Sequence, residues 1–206
     1  MSLGQQMPMN ISPSTMDPRF KETLDAWLKF GSAYLVYRLG MHYFVEPNGE
    51  LFDSYSLQLI FYVLIGFTIY YMFIKPYIPV TFEHPILRDI GNDTLMFGTV
   101  LLTSHLLDVV MGGADLFNGD WFVSSGIILV AFAAYQVFLH PFVPTDKLSP
   151  QLKPIADDWL QFGAFLVVAR ILQGRSLTDQ SWIMSVLFVL LGFAGYEFVT
   201  KKIITY

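Results

Sequence analysis

One pattern occurs three times along this chain, and a repeat restricts the fold more than any single motif does. Its first half is a Phe-Gly pair, Phe30-Gly31, Phe97-Gly98 and Phe162-Gly163, with a basic side chain seven residues beyond each Gly at Arg38, His105 and Arg170. Its second half is Phe-x-x-Tyr, at Phe67 and Tyr70, Phe132 and Tyr135, Phe193 and Tyr196, closed by Lys75, His140 and Lys201. Both halves sit in apolar runs, so the repeating unit reads as a helical hairpin. Three units are expected, at about 21–81, 82–146 and 147–206, behind a polar arm at 1–20 that holds three prolines and no apolar run.

The composition points to lipid as the solvent. Hydrophobic residues make up 54% of the chain and charged residues 14%, well below the quarter expected of soluble domains. A helix crossing the hydrocarbon needs about 20 apolar residues. Six stretches come near that length, at 24–45, 57–74, 94–111, 121–139, 158–172 and 182–200, the first and fifth interrupted by Arg38 and Arg170. The expected fold is therefore all-α and integral to a membrane, with six transmembrane helices forming three parallel two-helix repeats. Two spans per unit make every unit enter in the same direction, which suits a bundle around a pseudo-threefold axis; a row of three hairpins is the other arrangement the pattern allows.

Local chemistry supports the hairpins. Asp53, Asn118 and Asp179 stand just ahead of the second apolar run of each unit, where side-chain oxygens satisfy the free N–H groups of a helix start. Lys75-Pro76 and His140-Pro141 follow the second runs of the first two units, where proline stops a helix. Basic residues Arg19, Lys21, Lys29, Lys75, Arg88, Lys147, Lys153, Lys201 and Lys202 gather on the side of the chain termini, whereas the loops within hairpins hold Arg175 alone. Positive charge stays on the cytoplasmic face, so both termini are expected there. Which membrane this is, the residues do not say.

Four sets of residues are candidates for function. Arg38, His105 and Arg170 are ionisable groups inside apolar runs, and could form a basic ring around the axis that binds an anion or a lipid headgroup. The bland alternatives are snorkelling to headgroups or pairing between helices, for instance with Asp108. Asp25, Asp93, Asp157 and Asp158 recur near the start of the odd runs; they read as helix-capping acids, with a proton or coupling-ion site as the other reading. Gly31, Gly98 and Gly163 read as points of close helix packing. Phe67, Phe132 and Phe193 with Tyr70, Tyr135 and Tyr196 read as a packed aromatic seam.

The sequence lacks cysteine and carries no catalytic or nucleotide-binding motif, and it calls for neither a cofactor nor a metal. Net charge of -5 without a basic patch argues against nucleic acid as a partner. Mitochondrial carriers also have three two-span repeats, but where that family carries Pro-x-Asp/Glu-x-x-Lys/Arg this chain reads Leu39-Gly40-Met41, Leu106-Leu107-Asp108 and Ile171-Leu172-Gln173, and the family is not assigned. All eleven prolines fall outside the expected spans, so unbroken helices are expected, as in a static bundle. The expected role is a non-enzymatic scaffold or assembly protein, either a subunit of a membrane complex or a structural membrane protein of a virus particle, with the bilayer and other membrane or peripheral proteins as partners. A small-solute or ion transporter or channel, with its site on the axis, is the alternative.

Overall fold

Proline and aspartate set where the helices begin. In the computed structural model, which describes residues 16–143 and 145–203, six long helices carry the chain. They are α1 (Pro18–Phe44), α2 (Ser54–Ile69), α3 (Pro85–Leu107), α4 (Gly119–Phe138), α5 (Lys153–Leu172) and α6 (Gln180–Gly195), with no strand among the described residues. The odd helices open on Pro18, Pro85 and Pro154; a first turn needs no N–H there and tolerates the fixed φ. The even helices open behind Asp53, Asn118 and Asp179. Their side-chain oxygens accept hydrogen bonds from the backbone N–H of Ser56 at 2.7 Å, Asp120 at 3.0 Å and Ser181 at 3.0 Å.

Three helices change pitch at their ends. α2 runs on as a π-helical turn at Tyr70–Ile74, α3 at Asp108–Gly112 and α6 at Tyr196–Thr200, whereas α4 is followed by a 3-10 turn at His140–Phe142. The helices expected to be unbroken therefore carry wide turns, and in α2 and α6 the turn starts at the recurring tyrosine.

Each helix packs on its neighbour in sequence, and α1 closes on α6, so the bundle is a ring. Six phenylalanines fill its centre. Within each hairpin two rings stack: Phe30 on Phe67 at 4.4 Å, Phe97 on Phe132 at 4.1 Å and Phe162 on Phe193 at 4.5 Å between centroids. Between hairpins the rings meet edge to face, for example Phe30 with Phe162 at 5.6 Å and Phe97 with Phe162 at 6.1 Å. Both geometries are the ones ring quadrupoles favour. The layer divides the bundle into a terminal half, where α1 starts and α6 ends, and a loop half, where the hairpin loops lie.

Backbones come closest one residue before the phenylalanines of the even helices. A β-carbon on Gly192 would lie 2.4 Å from Cα of Ala33, and one on Gly66 would lie 2.7 Å from Cα of Val100. The matching position in α4 is Ala131, fully buried. Gly31, Gly98 and Gly163 do not have the packing role expected of them. No atom lies within 4 Å of a β-carbon built on Gly31 or Gly98, and Gly163 would meet only Leu190 at an ordinary 3.8 Å. One residue along a helix turns about 100°, enough to take Gly31 off the face that Phe30 buries.

Four helical runs, Ser54–Ile74, Pro85–Gly112, Gly119–Phe142 and Gln180–Thr200, are long and apolar enough to cross a membrane. Six were expected. α1 and α5 fall short because α1 carries Arg19, Lys21, Glu22, Asp25, Lys29 and Arg38, and α5 carries Lys153, Asp157, Asp158 and Arg170. The expected N-terminal arm lies outside the described residues as far as 15, and its last three residues, 18–20, form the first turn of α1. Residues 204–206 of the third unit also lie outside them.

Candidate functional site

The acids expected to cap the odd helices do not cap them. Because α1, α3 and α5 start upstream on their prolines, Asp25, Asp93, Asp157 and Asp158 fall a turn or more inside the helices. There they take part in a polar cluster in the terminal half of the bundle, beneath the phenylalanine layer. Five residues on an α-helix rise about 7.5 Å, which is the depth of Asp25 below Phe30 and of Asp157 below Phe162.

Hydrogen bonds across helices hold this cluster. Lys29 Nζ of α1 donates to Asp158 Oδ1 of α5 at 2.5 Å; only 9% of the Asp158 side chain is exposed. Asp93 Oδ2 of α3 accepts from Gln136 Nε2 of α4 at 2.8 Å and from Gln161 Nε2 of α5 at 3.2 Å. The Tyr196 hydroxyl donates to Asp25 Oδ1, tying the end of α6 to α1. Tyr70 and Tyr135 are buried like Tyr196, and Phe67, Phe132 and Phe193 are buried one turn away, as the seam requires.

A cavity of about 160 Å³ opens inside the cluster, lined by Asp25, Lys29, Asp93 and Gln161 under the rings of Phe30, Phe97 and Phe162. At about 30 Å³ per molecule, that is room for a few waters. Asp157 Oδ1 and Asp158 Oδ2 are buried with no hydrogen-bond partner among the described residues. Removing a carboxylate from water is costly unless it is paired, hydrogen-bonded or protonated. Lys29 pairs with one of the four acids, while amides and a phenol serve two others without neutralising them. The chemistry open to such a group is the binding of a proton or a small cation. Among the described residues no three His, Cys, Asp or Glu side chains group to hold a metal ion.

The basic residues are not brought together on the axis. Arg38 donates to the carbonyls of Leu51 at 2.9 Å and Glu50 at 2.7 Å, and pairs with the helix cap Asp53 at 2.8 Å. Arg170 donates to the carbonyl of Ser176 at 3.0 Å, pairs with the cap Asp179 at 2.9 Å and lies 5.2 Å from the ring of Trp182. His105 donates to the carbonyl of Leu116 at 3.1 Å and stacks on Trp121 at 4.1 Å. Each therefore clamps the loop of its own hairpin, and the expected shared basic ring gives way to three separate loop clamps. Asp108, weighed as a partner for the arginines, instead opens the π-helical turn of α3.

Sequence reasoning missed Gln136 and Gln161 because amides in apolar runs carry no repeat signal. Trp27 and Trp159, which the sequence offers as interface residues at the start of the odd runs, instead tie helices together: their Nε1 atoms donate to the carbonyls of Leu64 at 2.9 Å and Leu190 at 2.8 Å. Their common spacing from Phe30 and Phe162 was a usable signal. No protein-family model matches this chain, and neither a curated protein nor a solved structure matches it.

Proposed function

We propose that this is an integral membrane protein of three parallel two-helix repeats, closed about a pseudo-threefold axis, that serves as a non-enzymatic scaffold for other membrane or peripheral proteins. The membrane reading is supported by an inside-out surface. Between 17% and 28% of each apolar run is buried in the molecule, and large side chains such as Phe61, Val110, Val123 and Phe138 are more than half exposed. Patches of this extent are not sustained in water by a monomer. The charges of α1 and α5 fit a spanning role because Asp25, Lys29, Asp158, Arg38 and Arg170 are bonded inside the molecule. Three equal ring stacks, three capped loops and three basic clamps support the repeat.

The observation that carries the scaffold reading is the plugged axis. Six phenylalanine rings in mutual contact separate the polar cavity from the loop half, which leaves no polar path through the bundle. The buried carboxylates favour a second reading, an ion or proton carrier whose terminal-half cavity is one stage of a pathway opened by moving the rings. One preparation tests both. Purified protein in liposomes should give no proton or potassium flux above protein-free vesicles under the scaffold reading. Flux that disappears in Asp93→Asn would replace that reading by transport. Because the chain lacks cysteine, single Thr81→Cys, Ser149→Cys and Asn48→Cys variants report topology directly. An impermeant maleimide should label positions 81 and 149 from one side and 48 from the other; any other pattern removes the parallel-repeat membrane model.

A further inference from the structure

The loop half of the axis contains a second cavity, of about 350 Å³, to which every one of the six helices contributes. Five of the six central phenylalanines line it, and Val63, Val100, Ile128, Leu166 and Val189 are among its wall residues. Its lining is nearly devoid of polar atoms. Buried water needs two to four polar partners, so this space does not hold an ordered water cluster. It is also more than twice the roughly 150 Å³ of an apolar cavity that takes up benzene. Left vacant, its walls would forgo their dispersion contacts over a large area.

Two tyrosines, Tyr34 and Tyr37, belong to the wall. Tyr34 lines the cavity, and its hydroxyl oxygen is buried, makes no hydrogen bond within 3.5 Å among the described residues, and has the Ser56 hydroxyl as its polar neighbour. Small-molecule sites have this constitution, mostly apolar with a few placed polar groups, in a volume of about 300 to 1,000 Å³. We propose that the cavity binds a single alkyl chain whose head oxygen accepts the hydrogen bond of Tyr34. The surrounding bilayer offers such chains in two forms, as the acyl chain of a phospholipid and as a free single-chain lipid, and the chemistry recognised is the same in both. The site is separate from the carboxylate cavity, from which the ring layer divides it, and a scaffold or a carrier could equally contain it.

The test is photolabelling of the full chain in phosphatidylcholine nanodiscs, followed by peptide mass spectrometry. One arm uses a long-chain alcohol bearing a diazirine in its chain, the other a phosphatidylcholine with the diazirine in one acyl chain. Adducts are expected on Val63, Val100, Ile128 or Leu166 with either probe, and the probe that reaches them identifies the source. Val189→Phe projects a ring into the cavity and should lower those adducts about tenfold, while adducts on outward-facing Leu35 and Val123, 46% and 64% exposed, persist. Tyr34→Phe should weaken labelling by the alcohol several-fold but not labelling by a diazirine alkane. Adducts confined to outward-facing residues, or cavity adducts indifferent to Val189→Phe, would overturn the site. Equal alcohol labelling in Tyr34→Phe would overturn the role of the hydroxyl. Should Val189→Phe fail to elute as a single folded species, Ile128→Phe projects a ring into the same space from α4 and gives the same readout.

Discussion

The two halves of this bundle are held by different bonds. In the terminal half, polar side chains link one hairpin to another, Lys29 to Asp158, Gln161 to Asp93 and Tyr196 to Asp25, besides joining helices of the same hairpin, as Gln136 does with Asp93 and Trp27 and Trp159 do with the Leu64 and Leu190 carbonyls. In the loop half, charged and imidazole side chains link each hairpin to itself, through Arg38, His42, His105 and Arg170, the Ser185 hydroxyl on Met41 Sδ bridges α6 to α1, and the space at the axis is apolar and partly empty. The buried charged bonds between hairpins thus lie at one end and the loop clamps at the other. Polar bonds join the hairpins beneath the aromatic layer, and close backbone packing at Gly66 and Gly192 joins them at the layer itself.

Removing Lys29 attacks the first kind of bond and should have the largest effect. Lys29→Met leaves Asp158 buried without its cation, and breaking one side of a buried pair costs about 3–5 kcal/mol. Equilibrium unfolding in detergent measures it. Adding Asp158→Leu removes the stranded charge and should recover most of the loss. If Lys29→Met unfolds like the parent protein, the terminal half is not where the hairpins are joined.

Glycines give the next contrast. Gly192→Val forces a branched side chain against the Ala33 backbone and should cost about 1–3 kcal/mol, the usual range for overpacking. Gly31→Ala meets open space and should be neutral or stabilising, by at most about 1 kcal/mol from the better helix propensity of alanine. The same unfolding measurement ranks the two, and a larger loss in Gly31→Ala would return the packing seam to the odd helices.

These glycines also mark what could be read from the sequence. The all-helical fold, the capping residues Asp53, Asn118 and Asp179 and the burial of the aromatic positions were legible, because each rests on spacing within one helix or on the chemistry of one turn. Gly31 was misread because adjacency to Phe30 along the chain is not adjacency on the helix surface. The better signal was the small residue before each even-helix phenylalanine, Gly66, Ala131 and Gly192. Asp25, Asp93 and Asp158 were misread because hydropathy marks where an apolar run begins and not where a helix begins; Pro18, Pro85 and Pro154 carried that information. That Arg38 and Arg170 would turn back on their own loops depends on loop shape, which no periodicity encodes.

The clamps give a smaller and more local prediction. Arg170→Gln removes the bonds to Ser176 and Asp179; the Arg170 side chain is 12% exposed, but both acceptors lie at the exposed loop, where water replaces the lost bonds and the effect on global stability is small. Limited proteolysis of the loop at 173–179 should accelerate while the unfolding midpoint hardly moves. Lys29→Met should show the reverse. A variant that changed both readouts together would dissolve the distinction between the two halves.

Acid offers the finest test, because the three caps are Asp, Asn and Asp. Bonds from the Ser56 hydroxyl and N–H, with Arg38 nearby, hold the Asp53 carboxyl below the ordinary carboxylate range, whose reference is 3.8. The Ser181 hydroxyl and the Trp182 N–H, with Arg170, do the same for Asp179. A carboxyl whose pKa is depressed by folding contributes its full stabilisation above the unfolded value and loses it as pH falls through the lower, folded value. Asn118 has no charge to lose. Pepsin works in this acid window, and each loop offers it an exposed site, at Phe52, Phe117 and Leu177. As pH falls from about 4 toward 2, cleavage at Phe52 and Leu177 should rise relative to Phe117, a ratio that cancels the pH dependence of the protease itself. An unchanged ratio would mean that the carboxylate caps do no more for their loops than the neutral amide does.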